Sequence, residues 1–271
     1  MTTTQAPAPT RTRVDTGRRL TFMRALRGEW IKLATLRSTW WSIGITAALT
    51  VGIAVLIALA VDVPDFSPIQ AVVMPIQFTM LLAGIIGAIS VTGEYSTGMI
   101  RSTLTANPIR GSVLAAKSTV LALFLFVSSL VIFVVSALAV SLIVAPRDQG
   151  IDWSDPTASV LPIVVASLSM AVFALIGVAF GFVLRSGAGA IAATVGVLFV
   201  LPIVANFFSF AGETWAWVLQ AAAYLPDAAA RSAIMPGAGA ALDAPVAFLT
   251  LACWVVGGAA VAWGVLRTRD A

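Results

Sequence analysis

The chain has 271 residues, 59% of them apolar and only 10% charged, with a mean hydropathy of +0.99 and a formal net charge of +4. A soluble domain carries about 25% charged residues, so a water-soluble globular fold is excluded and lipid is the main solvent. Histidine is absent and the one cysteine, Cys253, sits in an apolar run. The commonest general base, the commonest transition-metal ligand and any intrachain disulfide are thereby removed.

Residues 1–19 are rich in Thr, Pro and Arg and hold no apolar stretch. They are not a cleavable secretory signal and read as a disordered cytoplasmic tail. Residues 20–37 predict an amphipathic helix. Phe22, Leu26, Trp30 and Leu33 share one stripe, Arg24, Arg27 and Lys32 the other, and Glu29 and Ile31 interrupt the pattern. Such a helix lies in the cytoplasmic interface; the same residues serve equally as a basic flank that fixes topology.

Six long windows without a charged residue follow. Each exceeds the ~20 residues a helix needs to cross ~30 Å of hydrocarbon, and a charge at mid-membrane costs about 2.5–3.5 kcal/mol. Backbone groups in lipid are satisfied only internally. The fold class is therefore an all-α membrane protein with spans near 39–61, 69–92, 116–145, 158–184, 188–210 and 245–266. Pro75, Pro162 and Pro202 should kink or start helices.

An even number of spans puts both termini on one side. Every basic residue except Arg147 and Arg231 falls there, whereas Asp62, Asp65, Asp148, Asp152, Asp155, Glu213, Asp227 and Asp243 fall opposite. The positive-inside bias then places both termini in the cytoplasm of a multi-pass plasma-membrane protein. It assigns the basic charge to topology and anionic-lipid contact, not to nucleic acid. Trp40, Trp41 and Trp263, and on the other face Trp215 and Trp217, occupy interfacial belt positions. Between the last two spans, the apolar stretch Thr214 to Leu225 ends at Pro226. It is too short to cross and too apolar for a free loop, which predicts a membrane-dipping helix in 213–243. A turn at Pro236 to Gly239 follows.

Chemistry is sparse. Gly111 to Ser118 approaches a phosphate-cradling loop, but Ala116 stands where the second glycine is required and a membrane span follows. Lys117 reads instead as a basic residue at a helix mouth. Both lysines lie in flanks, so no serine has a base, and no span holds a carboxylate to relay protons or bind a cation. The chain is expected to have no catalytic residue, no metal site and no cofactor of its own, and any transport draws energy from elsewhere. Gly84, Gly87, Gly177 and Gly181 invite close helix packing. Gln77 and Asn206 are candidates for lining a path, because a buried amide in lipid needs a partner.

The most informative segment is the loop from Thr92 to Lys117. Gly98 to Thr105 predicts a short helix at the cytoplasmic surface with Met99, Ile100, Thr103 and Leu104 on one face and Arg101 at its edge, stopped by Pro108. Glu94, the one acidic residue here, is placed to pair with Arg101 or Arg110. In Glu94, Gly98, Leu104, Pro108, Arg110 and Lys117 the loop resembles the first cytoplasmic loop of the permeases of the type-2 ABC exporter family. The amphipathic entry helix, six spans, cytoplasmic termini and dipping segment of 20–271 are similar to that family's layout. Tyr95 departs from its pattern.

The resemblance implies a mechanism. The loop would be a coupling helix docked in a groove of a separate ATPase, with Met99, Ile100 and Leu104 inserted and Arg101 and Glu94 setting orientation. Two ATPase subunits, which bind the ATP and Mg²⁺, would drive this permease and a second one, a copy or a paralogue. The second and fifth spans would line the path, placing Gln77, Phe78, Asn206 and Phe207 near the midline for export of a hydrophobic or amphipathic compound. The rival reading is a non-transport scaffold or assembly subunit that binds a partner through the 94–117 loop.

Overall fold

The computed structural model describes residues 21–61, 66–147, 150–210, 212–237 and 239–268; the tail at 1–19 lies outside them. The described residues form helices and no strand. In chain order these are α1 (Phe22–Thr35), α2 (Arg37–Ala60), α3 (Pro68–Val73), α4 (Ile76–Ser96), α5 (Met99–Ala106) and α6 (Arg110–Val144). They continue with α7 (Val160–Leu184), α8 (Gly187–Val195), α9 (Leu201–Phe207), α10 (Ala216–Ala222), α11 (Pro226–Ile234) and α12 (Ala244–Thr268). Six stretches are long and apolar enough to cross a membrane, namely α2, α3–α4, α6, α7, α8–α9 and α12, so the chain is a multi-pass membrane protein.

Two proline breaks have backbone causes. Pro75 has no N–H to continue the helix, so α3 and α4 meet at Met74 and Pro75, and the Thr79 hydroxyl bonds back to the Pro75 carbonyl at 3.2 Å. Before Pro202 the fifth span widens into one π turn, Gly196–Val200, in which the Leu201 N–H reaches the Gly196 carbonyl.

The helices also run past the ends of the uncharged windows. α4 continues to Ser96 and α6 begins at Arg110, which carries Glu94, Arg110 and Lys117 inside helices. Windows bounded by charge stop where a charge first appears. Helices do not, provided the charge finds a partner near the helix end. We call the end of the bundle holding α1 and α5 the basic end, and the other the acidic end.

α7 is the centre: 72% of its apolar window is buried, against 22% for α2 and for α12. It packs on α4, α6 and α12. Lipid offers no hydrophobic drive between helices, so contact rests on close van der Waals fit, and glycine supplies it. A Cβ on Gly177 would stand 1.9 Å from the Gly84 carbonyl oxygen, and one on Gly87 would stand 2.1 Å from the Ala174 oxygen. Gly181 faces Val91 in the same seam. All four glycines singled out in the sequence lie at this α4–α7 crossing.

The segment between the last two spans corrects one expectation. Two short helices stand where one was predicted, because Pro226 starts a helix instead of only ending one; proline suits the first helical turn. No residue of α10 is buried. α11, which the sequence reading assigned to no element, buries Pro226, Asp227, Ala229, Ala230, Ser232, Ala233 and Ile234 against α12 and α7. The Trp254 indole donates to the Tyr224 carbonyl at 2.9 Å and ties the pair to α12.

Candidate functional site

At the basic end, four charged side chains from three helices converge. Glu29 is the one buried residue of α1. It interrupts an apolar stripe in the sequence, yet it faces the protein because Lys117 of α6 lies opposite. Lys117 Nζ donates to Glu29 Oε2 at 2.7 Å, to Glu94 Oε1 at 2.8 Å and to the Ser90 carbonyl at 3.2 Å. Lys32 Nζ, one helical turn from Glu29, donates to Glu29 Oε1 at 2.7 Å and Glu94 Oε1 at 2.9 Å, with Thr103 Oγ1 at 3.4 Å.

The formal charge of this quartet is zero, and every ammonium proton has an acceptor. The side chains of Lys117, Glu94 and Glu29 are 5%, 7% and 10% exposed, whereas Lys32 is 34% exposed. Enclosed charges persist only when paired and hydrogen-bonded, which this arrangement achieves. Burial alone would lower the Lys32 pKa; hydrogen bonds and charge from Glu29 and Glu94 outweigh it and hold the ammonium above the usual lysine value.

The short helix α5 hangs from the quartet. Gly98 takes a left-handed conformation (φ 70°) that lets the chain turn sharply out of α4, and Glu94 Oε2 accepts from Thr103 Oγ1 at 3.5 Å. At the far end Asn107 closes the turn before α6, accepting from the Ile109 N–H at 3.2 Å and donating to Ser112 Oγ at 3.2 Å. Ile100 is buried in this chain's own core, Leu104 is half-buried, and Met99 and Arg101 are exposed. The face predicted to enter a groove is thus divided between core and surface. Glu94 does not pair with Arg101 or Arg110. It points into the bundle toward the lysines, where a carboxylate gains more from the enclosed Lys117 and the partly exposed Lys32 together than from a solvated guanidinium.

At the acidic end the four candidate path residues are distributed differently. Gln77, in the first turn of α4, accepts from Arg231 Nη1 of α11, and Phe78 is exposed beside it. Asn206 donates from its amide to the Pro202 carbonyl at 2.9 Å, one turn back on its own helix. Phe207, the last residue of α9, is exposed. α9 packs on α10, and Asn206 and Phe207 lie toward the acidic end of the fifth apolar stretch, Gly187–Phe210.

Arg231 also stands 2.8 Å from Asp227 Oδ2. The contact is one of charge, because neither Asp227 oxygen has a well-aligned hydrogen-bond partner. Burial pushes the Asp227 carboxyl above its usual range, and the Arg231 charge offsets this only in part. The other basic residue at this end, Arg147, donates to the Ala58 and Val61 carbonyls at 2.9 and 3.3 Å, satisfying the exposed C-terminus of α2. Both exceptions to the charge bias therefore have a structural task.

Sequence reading missed Glu29, Lys32 and Lys117 as one site with Glu94. Two signals pointed to it: a glutamate breaking an apolar stripe, and a lysine at the mouth of an otherwise uncharged span. It also missed Asp227 and Arg231, whose spacing of four places them on one helix face. No protein-family model matches the chain, and no curated protein matches it at significant similarity.

Proposed function

We propose that this chain is the permease subunit of an ATP-driven ABC exporter, worked by separate ATPase subunits that bind ATP and Mg²⁺. The positive-inside bias puts the basic end in the cytoplasm. α1 lies at that surface, and the membrane-dipping α10–α11 pair lies outside. Two such permeases and two ATPases would make the transporter, with a hydrophobic or amphipathic compound as cargo.

The observation that carries this reading is the attachment of α5. Its inner side is held by Ile100 and by Thr103 against Glu94 and Lys32, while Arg101 and Ser102 are exposed. A push on the outer side reaches α1, α4 and α6 together, because Ile100 is buried under α5 and the quartet ties those three helices to one another. That is what a coupling element requires of its anchor, whereas a loop that only recognises a partner has no need of it.

The test leaves the joint intact. The chain is isolated from native membranes with its companion ATPase, and hydrolysis is compared for the parent and for Arg101→Glu combined with Ser102→Asp. Both residues are exposed, so insertion and thermal unfolding should be unchanged, while hydrolysis should fall to the rate of the ATPase alone. Undiminished stimulation in the double variant, or isolation without any nucleotide-hydrolysing companion, favours the scaffold reading.

A further inference from the structure

A cavity of about 490 Å³ opens between α1, α2, α4 and α6, within the ~300–1,000 Å³ range of small-molecule sites. Its wall is aliphatic, from Leu82, Ile86 and Ile89 of α4 with Leu33 and Val120, and the quartet forms its floor. An aliphatic chamber ending on charged groups fits an amphiphile, and the hydrogen-bond inventory of the floor selects its head group.

An ammonium has three N–H donors and no acceptor, whereas a carboxylate offers about four acceptor positions. The donors are exhausted: those of Lys117 go to Glu29, Glu94 and Ser90, and those of Lys32 to Glu29, Glu94 and Thr103. The acceptors are not, since Glu29 receives two hydrogen bonds and Glu94 three. An anionic head would have to displace a carboxylate from a lysine. A head that donates is met by free lone pairs, and charge-assisted bonds are about twice as strong as neutral ones, which favours an ammonium over a hydroxyl. The Thr39 and Ser42 hydroxyls that also line the cavity donate or accept and leave the choice to the floor.

We propose that this cavity binds a cationic amphiphile, an apolar body with a primary ammonium head seated on Glu29 and Glu94. The site stands on the cavity and the quartet and needs no motor. Binding is measured on the chain alone, so its failure is separate from that of the exporter reading.

Dodecylamine is titrated at neutral pH into the full chain in a neutral detergent, against empty micelles. Dodecyltrimethylammonium keeps the charge but has no N–H, and dodecanoate reverses the charge. Dodecylamine should bind saturably and the other two at least about tenfold more weakly, the loss expected for one charge-assisted hydrogen bond. Ile86→Trp should fill the chamber and abolish binding while the melting temperature holds; if that variant does not fold, Ile89→Trp on the exposed rim replaces it. Absence of saturable binding overturns the proposal. So does dodecanoate or the trimethylated analogue binding as tightly, or undiminished binding to the folded tryptophan variant.

Discussion

The two ends of α4 hold charge in opposite ways. Near one end Glu94 joins a closed set of two carboxylates and two ammoniums, every proton placed and three of the four side chains nearly enclosed. At the other, Gln77 meets an arginine that is 48% exposed and shares it with an aspartate lacking a well-aligned hydrogen bond. A saturated network in low dielectric is rigid, and losing one member strands the rest. An under-satisfied carboxyl can relieve itself by taking a proton. The basic end is therefore a joint, and the acidic end an adjustable contact.

The strongest way to break this comparison is at the fulcrum between the ends. Gly177→Ala places a Cβ 1.9 Å from the Gly84 carbonyl oxygen, a backbone atom that moves only if α4 and α7 part. A loss of about 3 kcal/mol or more is expected for such overpacking, seen as a collapse in the yield of monodisperse protein. A variant that purifies and melts like the parent would show that the seam is not tight.

The joint itself offers a loss of comparable size. Lys117→Met leaves Glu29 and Glu94 facing each other with only the half-exposed Lys32 between them. The expected cost is about 3–5 kcal/mol, the range for removing one partner of a buried pair, read from thermal unfolding in detergent. Replacing all four charged residues by apolar ones of similar volume should recover most of the loss, since an entire buried ion set is often no more stabilising than well-packed hydrophobes. A quadruple variant as unstable as Lys117→Met would contradict the account of stranded charge.

The smallest effect belongs to the acidic end and takes the form of a slope. Burial raises the folded carboxyl of Asp227 above its unfolded value, so the folded state keeps a proton that the unfolded state releases. Stability from this group is fully present below the ordinary Asp value of 3.8 and declines as pH rises from there to the folded pKa. Asp227→Asn cannot lose that proton. It should gain on the parent as pH rises through this window, in melting curves recorded across pH. Parallel curves would place a well-solvated carboxylate at 227.

The architecture was largely legible because its cause is one-dimensional: a charge in lipid is so costly that the charge-free windows of the sequence mark the spans. The glycine seam was legible for a similar reason, small residues one helical turn apart on two long helices. What was not legible depends on pairing across the fold. Glu29 looked like a flaw in a stripe and Lys117 like a flanking charge, because periodicity counts a charged residue as solvated unless its partner is known. Glu94 was assigned to its sequence neighbours for want of any distance other than that along the chain. α11 was missed because its buried residues are mostly alanine, with a proline, a serine, an aspartate and a single isoleucine, so little hydropathy announces it.

The origin of the quartet along the chain sets an order of assembly. Its four charges and Thr103 all come from the first 117 residues, so the joint can close once the third span has been inserted, before α7 is made. Gln77 must wait for Arg231, more than a hundred residues later. Synthesis thus completes the basic end early and fastens the acidic end last.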